Sequence, residues 1–334
     1  MAHGRFDNPI VAALAGFRDF FSKQKLADKL KDTDRIDGKK CLVTGANSGL
    51  GYALAVDLAR RGGHVIMAQR RNIEASEIKA KHESGSQSIS GAYLDLSKID
   101  TIHAFVDQLK KENTQLDIII LNAGVALPKS RKTDSGLEEM FLVNYLSNFI
   151  LLNLLLTEKL LSQNGSIPRI IFISSDSHQG SSYIDFGEFG EYFEYGVSKG
   201  MNYYSYYKLV LNTLAIEFSR RFNKDRVRYG FNVICPGPVN TNIIKEAPWL
   251  LRVALGGIFS IIFKKPSDAA KAVVYMSVSE DYEGKSGEYL HMFNPKRMDE
   301  KVYLAQEGEK LWKASVAVWK KVDKNARIFS VQAV

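Results

Sequence analysis

The chain is poor in cysteine, with only Cys41 and Cys235 in 334 residues. Both lie in apolar, strand-like runs. Neither a disulfide framework nor a zinc site is read from them, no metal-ligating set is assigned, and the scarcity fits a reducing compartment. The chain also lacks long runs of like charge. Its net charge of +8, from 45 basic and 37 acidic residues, reads as a solvated surface of mixed sign and not as a nucleic-acid arm. A good signal peptide is missing, because Arg18 and Asp19 interrupt the first apolar stretch. No apolar run reaches the ~20 residues that a bilayer asks of a helix. "MFLVNYLSNFILLNLLL" (140–156) carries Asn144, Asn148 and Asn153, and "PWLLRVALGGIFSIIF" (248–263) is shorter and contains Arg252. The first reads as a buried helix. The second reads as a flap over a substrate pocket or a surface that touches lipid.

What is present is an alternation of strand and helix. "KKCLVTGA" (39–46), "HVIMAQRR", "GAYLDLS", "LDIIILNAG", "PRIIFISSDS" and "RYGFNVICPGP" are short apolar runs, and helical periodicity fills the intervals. Strands apolar on both faces and separated by helices predict an α/β domain, a parallel sheet wound on both faces. The expected division is an N-terminal extension over 1–36, one Rossmann-type domain over 37–295, and a C-terminal helix and tail over 296–334. In the extension, Ile10, Leu14, Phe17 and Phe21 recur at helical spacing. They suggest an amphipathic helix packed on its own domain, with a partner subunit or a membrane surface as other contacts.

"TGANSGLG" (44–51) joins the first strand to the first helix. Gly45, Gly49 and Gly51 permit tight backbone geometry and close approach of a phosphate, and the helix N-terminus offers free N–H groups. A glycine-rich turn alone can be an ordinary tight turn; the strand before it and the helix after it favour a nucleotide site. The second strand ends in Gln69, Arg70 and Arg71, with no acidic residue for a ribose hydroxyl. Arginines there favour a 2′-phosphate, so NADP(H) is expected over NAD(H), which stays open.

These stretches, followed in order by Asp95-Leu96, "NAG" at 122–124, Ser174-Ser175, a Y-x-x-x-K pair and "PGPVNT" at 236–241, resemble the short-chain dehydrogenase/reductase family over roughly 37–295. "TGANSGLG", the strand-end arginines, the stretched serine-to-tyrosine segment and "EKLWKAS" resemble its retinol-dehydrogenase-like branch. The resemblance implies a seven-stranded Rossmann sheet, a nicotinamide cofactor and carbonyl–alcohol interconversion. It implies that Gly45, Asn47, Ser48, Gly49, Leu50 and Gly51 surround the phosphates. Asp95 and Leu96 would lie by the adenine, and Asn122, Ala123, Gly124 and Ile173 along the cofactor. Pro236, Gly237, Val239 and Thr241 would flank the nicotinamide.

"YGVSKGMNYYSYYKLVLN" (195–212) offers two tyrosine–lysine pairs at the same spacing, Tyr195 with Lys199 and Tyr204 with Lys208. Residues four apart share a helix face. Gly200 weakens a helix at the first pair, whereas "LVLNTLAIEFSRRF" continues one after the second. Tyr204 and Lys208 are therefore expected to be the reacting pair, with Tyr195 and Lys199 in the loop before the helix. By resemblance, Tyr204 is the general acid or base, Ser175 (Ser174 being the alternative) bonds the substrate oxygen, Lys208 lowers the phenol pKa and bonds the ribose, and Asn144 holds a water in a relay to Lys208. His178 is a further candidate for substrate contact, though a histidine after a strand is more often structural.

The expected function is an NADP(H)-dependent oxidoreductase acting on a carbonyl or alcohol of an apolar small molecule, in a cytoplasmic homo-oligomer with peripheral membrane contact left open. A cofactor-sensing protein that has lost turnover and a nucleotide-sugar epimerase are the competing readings. The intact Ser–Tyr–Lys–Asn set argues against the first. The glycine spacing and the absence of a large C-terminal substrate domain argue against the second.

Overall fold

Buried strands alternate their side chains between two helical layers. The computed structural model describes residues 26–162, 165–238 and 265–329. The expected N-terminal helix, the apolar segment 248–263, Val239 and Thr241 lie outside them. Strands β1 (Lys40–Thr44), β2 (His64–Gln69), β3 (Ile89–Tyr93), β4 (Ile118–Leu121), β5 (Arg169–Ile173), β6 (Gly230–Cys235), β7 (Tyr289–His291) and β8 (Asn294–Pro295) form one sheet in the order β3-β2-β1-β4-β5-β6-β7-β8. All pairs are parallel except β7 with β8. The implied seven-stranded sheet thus gains a two-residue antiparallel edge, where the chain reverses after His291.

The interleaving is visible in β4. Ile119 and Leu121 join the core on one face, and Ile118 and Ile120 the core on the other. Helices α1 (Gly49–Arg60), α2 (Ile73–Ser84) and α6 (Pro266–Val278) cover the second face. The first is covered by α3 (Ile99–Lys111), α4 (Glu139–Thr157), α5 (Val197–Phe222) and α7 (Ala305–Val322). Helix α4 is the apolar run 140–156. Its mean hydropathy reaches 1.6 over 18 residues, but 94% of that window is buried in the fold, so it serves as a core helix. A π-helical turn at Leu142–Leu146 interrupts it. Helix α7 lays Trp312 edge-on against Phe149 (5.0 Å between ring centroids) and Phe218 (5.2 Å).

Because the strands are parallel, their C-terminal ends lie along one edge. The chain leaves β1 to build β2 and β3 on one side, then returns to place β4 on the other. That reversal opens a crevice at the end of β1, where ligands of such sheets bind.

Helix α5 corrects one expectation. It starts at Val197, with Gly196 as its N-cap, so Lys199 is in its first turn and not in a loop. Gly200 is required by packing: a Cβ there would lie 2.5 Å from the Leu127 carbonyl oxygen and 3.2 Å from Pro128 Cα. The segment between Ser175 and the start of α5 forms a short 3₁₀ turn (Asp176–Gly180) and an aromatic loop. With residues 299–304, it borders a second cavity of about 910 Å³ beside the first half of α5.

Replacing a helical glycine by alanine usually stabilises by ~0.5–1 kcal/mol. Gly200→Ala should reverse that sign and lower stability by about 1–3 kcal/mol, the usual result of overpacking against rigid backbone. Denaturant titration of the two proteins reads the difference, and a variant of equal or greater stability would show that α5 can move away from Leu127.

Candidate active site

At the end of β1 the backbone turns sharply, with Gly45 at φ +66° and Gly49 at φ +58°. Helix α1 then comes so close that a Cβ on Gly51 would lie 2.4 Å from the Gly45 carbonyl oxygen and 2.5 Å from Asn122 Nδ2. Ser48, the N-cap, makes no side-chain bond to the helix, which leaves the first-turn N–H groups to other acceptors. The turn is tied across the crevice. Thr44 Oγ1 accepts the N–H groups of Asn122 and Ala123 (both 3.0 Å), and Asn122 Nδ2 donates to the Thr44 carbonyl (2.9 Å). Thr44 was not singled out from the sequence; a polar residue ending a buried strand is the signal that would have found it.

A cavity of about 430 Å³ lies over this turn. Its wall brings together Gly45, Asn47, Ser48, Gly49, Leu50 and Gly51 with Arg70 and Arg71, Asp95 and Leu96, and Asn122, Ala123 and Gly124. Across from them stand Ile173, Ser175, Tyr204, Lys208, Pro236 and Gly237. Every expected site residue among the described ones is therefore in the wall, except Asn144, which is buried behind it. The cavity suits a dinucleotide: the glycines leave no Cβ in the way, and α1 offers uncapped N–H groups.

The adenosine end holds two departures. Gln69 is buried and donates to Ile73 O (3.3 Å) and Ser76 Oγ (2.5 Å). It anchors α2 and also lines the cavity, and its buried Oε1 has no hydrogen-bond partner. Arg70 stands 3.9 Å from Glu139 Oε1, and Arg131 lies 3.1 Å from Glu139 Oε2. Asp95 accepts from Ser97 N (3.0 Å) and Ser97 Oγ (2.7 Å), so its carboxylate shapes the turn into α3.

At the other end, Lys208 is 5% exposed and donates to the Ile173 carbonyl (2.8 Å). Its Nζ lies 5.6 Å from the centroid of the Tyr204 ring. Burial pulls the ammonium down to about 8. The Tyr204 phenol moves the other way: burial, with a smaller contribution from the charge of Cys235, pushes it above its usual value near 10. The expected lowering by Lys208 is thus not found in the protein by itself, because burial disfavours the phenolate.

Ser175 Oγ accepts only a long bond from Ser177 N (3.3 Å) and is partly exposed to the cavity, whereas Ser174 is 4% exposed. Asn144 Oδ1 accepts from Val125 N (2.7 Å) and its Nδ2 donates to Val125 O (2.8 Å). Its side chain therefore fixes the segment after β4. Tyr195 is engaged elsewhere, donating to Glu138 Oε1 (2.9 Å). His178 is fully buried between two backbone groups: Nδ1 lies 2.8 Å from Ser175 O, and Nε2 accepts from Asp299 N (3.3 Å). Burial holds it below its usual pKa; a neutral ring with the proton on Nδ1 satisfies both contacts and leaves none for a substrate.

Strand order, glycine turn and crevice define a nucleotide-binding, doubly wound α/β domain. Residues 39–185 match the short chain dehydrogenase family. Human polyprenol dehydrogenase is 31% identical over 82% of this chain and 83% of its own length. Mouse retinol dehydrogenase 14 is 34% identical over 85% of this chain and 86% of its own. Among solved structures, a Pseudomonas aeruginosa RhlG/NADP active-site complex superposes with a TM-score of 0.59 at 21% identity, over 79% of this chain and 98% of that one. The chain belongs to the short-chain dehydrogenase/reductase family of oxidoreductases, in its retinol-dehydrogenase-like branch.

The Lys208 shift has a consequence for stability. Below pH 8 the lysine is protonated in both folded and unfolded chains, and the folded state bears the cost of burying the charge. Between 8 and the unfolded value near ~10.4 the folded chain loses the proton first, so stability rises with pH. Lys208→Met removes this term. Relative to the variant, the parent should gain about 2 kcal/mol between pH 7 and 9.5, at ~1.4 kcal/mol per unit. Denaturant titrations across that range measure it, and a pH-independent difference would contradict a depressed lysine.

Proposed function

We propose that the chain is an NADP(H)-dependent oxidoreductase that interconverts a carbonyl and an alcohol on an apolar small molecule. The observation that carries the reading is the meeting of Ser175, Tyr204 and Lys208 in the wall of the cavity that begins at the glycine turn. The names of the relatives support an apolar alcohol or its carbonyl partner as substrate, since polyprenols and retinol are both such alcohols. Gly45 to Gly51 would hold the diphosphate. Arg70 and Arg71 would meet the 2′-phosphate, and Lys208 the nicotinamide ribose. A nicotinamide held there would supply or accept the hydride.

The chain's own part is proton transfer and positioning. Ser175 would donate to the substrate oxygen and hold it beside the Tyr204 hydroxyl. With its pKa raised by burial, Tyr204 keeps its proton at neutral pH. That is the form needed to protonate the oxygen as a carbonyl is reduced; the reverse reaction requires the phenolate and gains most from the positive charge of Lys208. Asn144, by bonding both backbone groups of Val125, would keep the segment after β4 in register with Lys208, and a water at its helical turn would extend the proton path. The same reading takes 37–295 as the catalytic domain and the protein as a cytoplasmic homo-oligomer. The cytoplasmic reading rests on composition and on the charges interrupting the apolar stretches.

Two measurements test this. Consumption of NADPH with a panel of apolar aldehydes and ketones should be lost in Tyr204→Phe by ~10²–10⁴-fold, the usual contribution of a general acid or base. Tyr195→Phe should retain turnover, although leaving Glu138 short of a donor should cost about 1–3 kcal/mol of stability. The opposite pattern would move the chemistry to the first pair. Calorimetry should show NADPH binding more tightly than NADH, with the preference lost in the Arg70→Ala, Arg71→Ala double variant. Equal affinities in the parent would remove the 2′-phosphate assignment.

A further inference from the structure

A second group of reactive side chains stands at the same cavity and has no part in the proton transfer above. Cys235 ends β6 and lines the cavity wall, with 5% of its surface exposed. Its cross-strand partner is His291 on β7. Paired residues of neighbouring strands project to the same face, so the imidazole stands beside the sulfur. His291 is 2% exposed, and neither ring nitrogen has a hydrogen-bond partner; Nδ1 is 3.6 Å from Asp176 Oδ1.

Asp176 is the fixed member of the group. Its backbone N–H donates to Cys235 Sγ (3.3 Å), while its carboxylate accepts from Gln179 Nε2 (2.6 Å), Tyr289 OH (3.0 Å) and Lys296 Nζ (2.7 Å). Burial opposes the charges here but does not prevail. The imidazole is pushed up to about 10, first by the charge of Cys235 and then by its polar contact with Asp176, and the thiol is held below its usual value, chiefly by the charge of His291. A second unsatisfied polar group lies at the same place. Ser174 Oγ, 4% exposed and in the cavity wall, has no hydrogen-bond partner, and Ser174 N bonds to the carbonyl of Ile234, next to Cys235. Among the described residues no group of His, Cys, Asp and Glu is placed to hold a metal ion.

We propose that Cys235, with His291 beside it and Asp176 behind, is a nucleophilic thiol that is alkylated from the cofactor cavity by soft electrophiles of the α,β-unsaturated carbonyl class. The sulfur forms a bond to the β carbon as the carbon–carbon π bond breaks. The electron pair passes to the α carbon and carbonyl oxygen, and the α carbon takes a proton from the imidazolium, leaving a thioether and neutral His291. Nothing is oxidised or reduced overall, and no further reactant is needed. The adduct occupies the cavity wall beside Tyr204 and Lys208.

The chain carries its own control. Cys41 is fully buried in β1, and burial raises its thiol pKa, so it should stay unreacted while the protein is folded. The full chain, without cofactor, is treated with N-ethylmaleimide at pH 7, and adducts are followed by intact mass and peptide mapping. One adduct is expected, on Cys235. His291→Asn should slow it by about tenfold, because a free thiol is only a few per cent thiolate at that pH and the gain is tempered by lower nucleophilicity. Cys41 reports folding in each sample, so a misfolded variant is recognised by a second adduct; His291→Gln then replaces it. In a second arm, trans-2-nonenal should give a stable adduct on Cys235 and saturated nonanal none. The proposal is overturned if Cys235 reacts no faster than Cys41 in the folded parent, if folded His291 variants react at the parental rate, or if nonenal leaves Cys235 unmodified.

Discussion

Lys208 carries its ammonium into the interior against a single carbonyl, that of Ile173, and much of the surrounding architecture follows from holding it there. A buried cation costs free energy unless polar groups face it. The end of β5 supplies a carbonyl, and the serines of the cavity come directly after it. For the lysine to reach that strand end, α5 must lie tight against the segment after β4. Gly200 allows this by leaving room for the Leu127 carbonyl. The same segment is secured from α4, where Asn144 bonds both backbone groups of Val125. Two helices and two strand ends are thus fixed around one ammonium, and its side chain forms part of the cavity wall.

A few residues further along, the balance of charge is reversed. Asp176 is held well below the usual carboxylate range although buried, because His291 and Lys296 outweigh the loss of solvation. The residues that satisfy it come from the 3₁₀ turn, β7 and the chain after β8. His178 adds a neutral bridge between Ser175 and Asp299. The C-terminal part of the chain therefore braces the serine loop through polar contacts, while α7 packs Trp312 onto Phe149 and Phe218.

The strands and the glycine turn were legible because burial on both faces and a change of backbone direction are local properties, written in apolar runs and in Gly45 and Gly49. The cavity wall was legible for a related reason: polar or small residues at the ends of buried strands have little reason to be there unless something faces them. What stayed hidden depended on neighbours distant in sequence. Gly200 read as a helix breaker, since nothing nearby announces the Leu127 carbonyl. His178 could be read as a substrate contact or as structural, because the backbone N–H that settles its place belongs to Asp299, far along the chain. Cys235 read as a strand residue because β7, which brings His291 beside it, is only three residues long.

The two tyrosine–lysine pairs show how far spacing alone can carry an argument. Each pair can share a helix face, so spacing cannot rank them. Their separation can. Tyr195 and Tyr204 are nine residues apart, as are Lys199 and Lys208, and at 3.6 residues per turn nine residues are two and a half turns. Helical residues so spaced face opposite directions. The structure follows that phase: Lys208 is buried in the wall of the glycine-turn cavity, whereas Lys199 is exposed and borders the second cavity. Only one pair could therefore meet a ligand bound at β1, and the sheet chose it, because Lys208 lies on the side of α5 that reaches the end of β5, where its ammonium meets the Ile173 carbonyl.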